Sequence, residues 1–351
     1  MRMKHAPRGR TRSSELQAVG SGLIALDVIL DESSSPVTTA VGGSAGNVLA
    51  ALAYLGWHSV PVCELGKDAA GGQVRAEFER LKADMRFVVE SDHTCTPVVY
   101  QMPADSSETH SFSFRCPHCG ERRGFSPPTD VHLSEHVFDG VPAPSVFYFD
   151  RVTPVSLTLA EKYRSKGILV VFEPSTVTSD PAQFQRAVSA THILKYADNR
   201  FDEFPYDVSK VALEIKTMGA HGLGFRFPSL LGHWTTLPAI RVPIVADTAG
   251  AGDWCTAGML AALFEAGVES SWQLTYNAAY RALRYGQSLA ALNCMYAGAR
   301  GVTHRWSARH VKHLAVELLE KSNTSLRPTL QQRKKTKGRL VRKLCCEPIE
   351  V

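Results

Sequence analysis

Apolar runs of strand length recur along this chain, and helical patterns separate most of them. LQAVGSGLIALDVIL (16–30) reads as a strand entering the domain, with SVPVCELG (59–66) and RFVVE (86–90) as two more. SVFYFD (145–150), GILVVFEP (167–174), THILKY (191–196) and VALEIKTMG (211–219) read as buried strands. Between them, SAGNVLAALAYLGW (44–57) sets Val48, Leu49, Leu52 and Leu55 on one helical stripe and stops at Gly56. Segments 71–83, 155–167, 180–190, 254–267 and 271–299 are also read as helices. Parallel strands need crossovers long enough to hold a helix, so this alternation predicts an α/β fold with a mostly parallel sheet covered on both faces. TPVVYQM and HSFSFR, near 96–115, look instead like an antiparallel pair, and hence a smaller flap. No internal repeat is present.

Composition limits the partners. The net charge of +5 lies largely in MRMKHAPRGRTR and RPTLQQRKKTKGRLVRK, which leaves a body that is roughly neutral to acidic. Residues 1–15 and 323–351 are expected to be basic, flexible tails around one domain at 16–322, and no nucleic-acid partner is expected. No apolar run is long enough for a membrane span, and the positive amino terminus lacks a following apolar stretch, so the expectation is a soluble, cytoplasmic protein. Eight cysteines (63, 95, 116, 119, 255, 294, 345 and 346) spread over 351 residues do not form the pattern of a small secreted disulfide scaffold.

Three stretches bear on chemistry. AVGGSAGNVLAALAYLG (40–56) opens a helix with small and polar residues, which leaves main-chain amides accessible, and Asn47 could offer its amide to vicinal hydroxyls. An ordinary strand-to-helix turn would read the same way. DTAGAGD (247–253) follows the apolar run VPIVA, read as a strand, and precedes a helical pattern. Its glycines allow successive N–H groups to converge where the helix dipole is positive, which suits a transferring phosphoryl group. Asp253 then stands either as a helix cap or as the base for an attacking hydroxyl. The P-loop pattern is absent, and GSGLIA, although it fits G-x-G-x-x-A, continues as a strand-like run instead of a helix.

In the third stretch, CPHCGERRGFSPPTDVHLSEH, Cys116, Cys119, His132 and His136 fall at the C-x₂-C-x₁₂-H-x₃-H spacing of a tetrahedral zinc site. The competing expectation is an exposed loop with two reduced thiols and two surface histidines. A Cys116–Cys119 redox pair lacks a thioredoxin-like context.

GGSAGN followed much later by DTAGAGD resembles the two signatures of the PfkB carbohydrate kinases, the ribokinase-like family that includes nucleoside kinases. GLIALDVI, ELGKDAAGGQVRAEFERL, TMGAHGLGF and GQSLAALNCMYAGARG fit between and after them, so the similarity covers about 16–305. The resemblance implies a ribokinase-like three-layer α/β/α sandwich with a small β lid at about 91–140, which can pair into a homodimer. It also implies ATP as co-substrate with Mg²⁺, transfer of the γ-phosphoryl group to a hydroxymethyl of a sugar, and a monovalent cation beside Asp247. In that pattern Asp253 is the base, and Gly250, Ala251 and Gly252 supply the anion hole. Asp27, Gly42, Gly43 and Asn47 hold acceptor hydroxyls, while Thr217, Gly219, Gly222 and Gln287 lie beside the nucleotide. Glu173 and His221 are expected near the nucleotide as supporting or surface groups.

Departures leave alternatives open. Ser44 replaces the lysine of ribokinases, which favours a nucleoside acceptor, and Trp254 and Cys255 replace a small residue and a phenylalanine. The family's N-x-x-E element for magnesium is blurred in KYADNRFDE, with Ala197 and Arg200 in one register and Asn199 and Asp202 in the other. That blurring motivates a second reading, a sugar- or nucleotide-binding regulatory protein with little turnover.

Overall fold

The computed structural model describes residues 15–31, 33–102, 111–175, 180–201, 204–230 and 232–320. In chain order its elements begin with β1 (Gln17–Ser21), β2 (Ala25–Leu30), β3 (Pro36–Gly42), α1 (Ser44–Tyr54), β4 (His58–Gly66), α2 (Ala69–Arg80), β5 (Val88–Ser91), β6 (Val98–Gln101) and β7 (Phe112–Ser113). They continue with α3 (Leu133–Gly140), β8 (Val146–Phe149), α4 (Pro154–Ser165), β9 (Leu169–Phe172), α5 (Pro181–Ser189), β10 (Ile193–Ala197) and β11 (Leu213–Thr217). The last are β12 (Leu223–Arg226), β13 (Thr235–Leu237), α6 (Ala251–Glu265), α7 (Tyr276–Cys294) and α8 (Ala308–Glu320).

Nine strands form the main sheet in the order β13-β12-β11-β10-β9-β8-β1-β4-β5. All its pairings are parallel except those of β12 with β11 and β13. The central strands are buried on both faces, and their alternation feeds two cores. Val146 and Tyr148 of β8 and Leu169 and Val171 of β9 pack into one, whereas Phe147, Phe149, Val170 and Phe172 pack into the other. Helices α1, α2, α6, α7 and α8 contribute to the first core, and α3, α4 and α5 to the second. This is the expected three-layer sandwich. The stripe Val48, Leu49, Leu52 and Leu55 is buried as expected.

The second sheet, β3-β2-β6-β7, draws two of its strands from 25–42, outside the flap expected at about 91–140, and the expected pair β6–β7 is antiparallel within it. The segment 16–30 is two strands in different sheets, not one. At Gly22 the backbone has φ 134°, and a β-carbon there would overlap the Asp150 carboxylate, which accepts from the Leu23 amide at 2.8 Å. This turn sends the chain out of the main sheet into the second sheet. A strand, β2, follows GSG, so the dinucleotide pattern has no helix to open.

Two further differences concern the ends of elements. VPIVA (242–246) is not a strand: Ile244 and Val245 are exposed, and the Ala246 and Asp247 amides donate to the Cys294 carbonyl. Helix α8, beyond the last helix expected from the sequence, buries Val311, Ala315 and Leu318 on one face at helical spacing. Helices α6 and α7 meet backbone to backbone, since a β-carbon on Gly258 would come within 2.8 Å of Gly286 Cα and one on Gly286 would overlap the Cys255 carbonyl. The tails expected at 1–15 and 323–351 lie outside the described residues, apart from Glu15.

Candidate active site

The loop DTAGAGD runs into α6 across the carboxyl ends of the parallel strands, where open α/β sheets place their ligands. Gly250 is the helix cap, in the left-handed region at φ 70°, and its side is closed by the Ala299 main chain, which a β-carbon would strike. Asp253 therefore stands inside the first turn rather than at the cap, and no side chain caps this helix. Its carboxylate instead accepts from Asn47 Nδ2 at 2.9 Å, an approach between residues 206 positions apart. Burial, and then the neighbouring Glu173 carboxylate, push Asp253 well above the usual carboxylate range, while Lys195 and the Asn47 hydrogen bond pull the other way.

Beneath the loop lies a group whose partners are complete. Lys195 of β10 is 1% exposed and forms an ion pair with Glu173, which follows β9. Glu173 also accepts from Thr256 Oγ1 at 2.8 Å and from the Tyr148 hydroxyl at 3.4 Å. A β-carbon on Gly252 would sit 3.5 Å from both Glu173 Oε1 and Lys195 Nζ, ordinary contact distance, so the loop lies directly on this pair. Glu173 is thus an integral support and not a surface group. Lys195 was missed because its sequence signal, a lysine within a strand, resembles any other.

Asp27 points from β2 over Gly42, where a β-carbon would overlap its carboxylate, and it accepts from the Gly43 amide. Burial pushes it up to about 7 against the pull of Arg300. Gly43 precedes α1 in the left-handed region at φ 73°, held against the Leu23 carbonyl. Asp27 Oδ1 and Asn47 Oδ1 are buried without a hydrogen-bond partner among the described residues. A hydroxyl-bearing ligand would supply both.

On the other side, Thr217 ends β11, and the turn it starts is closed by the Met218 amide donating to the Gly222 carbonyl at 2.8 Å. Gly219 and Gly222 hold φ 52° and 101°, and Gly222 is pressed against the Leu237 carbonyl. His221 in this turn is exposed. The Gln287 amide donates to the Pro238 carbonyl at 3.3 Å and accepts from Arg284, so it braces the edge of this region. Asp247 accepts from the Ala249 amide at 2.8 Å, the Gly298 amide at 2.7 Å and Gln101 Nε2 at 2.7 Å. It therefore ties strand β6 of the small sheet to the DTAGAGD loop.

The zinc arrangement is not formed. Among the described residues no three His, Cys, Asp or Glu side chains are grouped to hold a metal ion. The CPHCG segment closes on itself, with the Cys116 amide donating to the Glu121 carbonyl and the Gly120 amide to the Cys116 carbonyl. Cys116 is buried in the main core while Cys119 is exposed. His132, which caps α3, and His136 within it lie one turn apart with ring centres 6.4 Å apart, but His132 turns to Glu135. The magnesium element is no clearer: Ala197 ends β10, Arg200 stands in the carboxylate position, and Asp202 lies outside the described residues.

Residues 17–115 match the model of the pfkB family carbohydrate kinases. A fructokinase from Salmonella typhimurium is 24% identical over 266 residues, 67% of this chain and 80% of that protein. A fructokinase from Xylella fastidiosa, solved with bound ATP, superposes at TM-score 0.67 with 17% identity, covering 86% of this chain and 98% of that one. A nucleoside kinase from Burkholderia thailandensis in complex with inosine gives TM-score 0.64 with 18% identity over 86% of this chain and 97% of that one. The fold is that of these ribokinase-like kinases. Over residues 17–115 the chain is thus similar to the pfkB family carbohydrate kinases, and its fold is that of the sugar and nucleoside kinases named above.

Proposed function

We propose that this kinase transfers the γ-phosphoryl group of ATP to a hydroxymethyl group of a sugar, with Asp253 as the base. The observation that carries this reading is the Asn47–Asp253 hydrogen bond, which joins the two signature motifs beside the unpaired Asp27 and Asn47 oxygens. The acceptor's hydroxyl proton passes to an Asp253 oxygen while its oxygen attacks the γ-phosphorus, and the bond to the ADP oxygen breaks. The amides of Gly250 and Gly252 face the charge that develops on the phosphoryl oxygens, at the positive end of α6, whereas the Ala251 amide, expected to join them, donates to the Thr248 carbonyl at 3.2 Å. Burial raises the proton affinity of Asp253, which makes it a better base once ionised. Asp27, Gly42, Gly43 and Asn47 hold the acceptor's other hydroxyls, and the turn Thr217–Gly222 lies beside the nucleotide.

No carboxylate set of the chain's own fits magnesium among the described residues, and no step is routed through it. A nucleoside acceptor is the second reading, favoured by the likeness to the inosine-bound kinase. ATP consumption by the full chain with D-fructose, D-ribose and inosine tests both. Turnover with a free sugar supports the first reading and turnover with inosine alone the second, whereas binding without turnover of any acceptor defeats both.

A further inference from the structure

We infer that Arg300 is a specificity-determining residue of the acceptor pocket, donating from Nε to an acceptor hydroxyl that itself donates to Asp27 Oδ1. The inference rests on the reading of Asp27 and Gly42–Asn47 as the acceptor site. Arg300 is 4% exposed and held at its far end, with Nη2 donating to the Val41 carbonyl and to Glu77 Oε1, both at 2.8 Å. Glu77 Oε2 in turn accepts from the Val41 amide at 2.6 Å. The guanidinium is therefore fixed from the side of α2 and β3, immediately before Gly42.

Its Nε is buried without a partner among the described residues, as is Asp27 Oδ1. Both residues border one small cavity of about 30 Å³, together with Thr38, Gln101, Gly298 and His304. That space admits a water-sized polar group. A buried guanidinium N–H and a buried carboxylate oxygen are both costly to leave unpaired, so the cavity calls for a group that accepts and donates at once. A hydroxyl does so. A carboxylate would meet Asp27 with like charge, and an ammonium has no lone pair for Nε. The wall thus selects a neutral hydroxyl at one position of the acceptor.

The test is calorimetric binding of D-fructose, D-ribose and inosine to the full chain without nucleotide, followed by deoxy analogues of each one that binds. Arg300→Lys keeps the charge but lacks Nε–H, and Glu77→Gln loosens the Val41 clamp while retaining it. Arg300→Lys is expected to weaken binding about 10- to 100-fold and to abolish the penalty for removing one particular hydroxyl. Glu77→Gln should lower Tm yet preserve that penalty. If Arg300→Lys retains every hydroxyl penalty, or Glu77→Gln reproduces its binding profile, Arg300 is only a clamp and the inference fails alone. If the wild type binds none of the three probes, the acceptor-site reading fails and takes the inference with it.

Discussion

The floor and the wall of the site are built on opposite terms. Under Gly252, the Glu173 carboxylate is met by Lys195, Thr256 and Tyr148, so the floor is electrostatically complete. On the side of the small sheet, Asp27 Oδ1, Asn47 Oδ1 and Arg300 Nε are buried and unpaired among the described residues. A satisfied network fixes geometry, whereas an unsatisfied one is stabilised by what binds to it. The two regions should therefore fail differently, the floor through folding and the wall through recognition.

Between floor and wall, Asp253→Asn should produce the largest effect: kcat falls by about 10²- to 10⁴-fold while acceptor affinity and the folded state persist. In the wild type, kcat/KM should climb with pH until Asp253 is ionised, at a midpoint above the usual carboxylate range. An unchanged rate in the variant removes Asp253 from the mechanism.

Lys195→Met tests the floor. It leaves Glu173 buried without its cation and is expected to cost about 3–5 kcal/mol in chemical unfolding. A loss of turnover with unchanged stability would contradict the division drawn above.

The wall is tested through pH at Asp27. Its folded value near 7 lies above the ordinary 3.8, so the folded state holds a proton that the unfolded chain has released between those limits. Its contribution to stability therefore falls as pH rises through that window and levels off above about 7. Acceptor binding runs the other way, because the ionised carboxylate is the stronger hydrogen-bond acceptor. KM for the acceptor should drop several-fold as pH passes 7, and Asp27→Asn should flatten both dependences. A KM that ignores pH in the wild type would detach Asp27 from the acceptor.

The smallest effect is expected outside the site. Chelation of purified protein should leave Tm unchanged, and Cys119→Ser should stay within about 0.5 kcal/mol, since the thiols and imidazoles are not gathered. A Tm that falls on chelation would restore a metal to the CPHCG segment.

Much of this design is legible in the chain because it is local. The period of each apolar run reported the layers, and the small residues of GGSAGN and DTAGAGD reported the two loops that Asn47 and Asp253 join. What stayed hidden depends on partners far away in sequence. Gly22 looks like part of a strand until Asp150 fills the space beside it, and Arg300 looks like a surface charge until Glu77, 223 positions earlier, receives it. The zinc spacing shows the converse, since matched intervals do not bring side chains together when one thiol is drawn into the core.

The glycine contact between α6 and α7 bears on how this protein tolerates change. Gly286 reaches no ligand in any reading of the site, yet its bare main chain sets how closely α7 seats the helix that begins with Gly250–Asp253. Any larger residue there must push that helix along or away from its neighbour. A survey of inactivating substitutions would accordingly place Gly286 among the positions of the DTAGAGD loop, and a map of vulnerability drawn from ligand contacts alone would leave it blank.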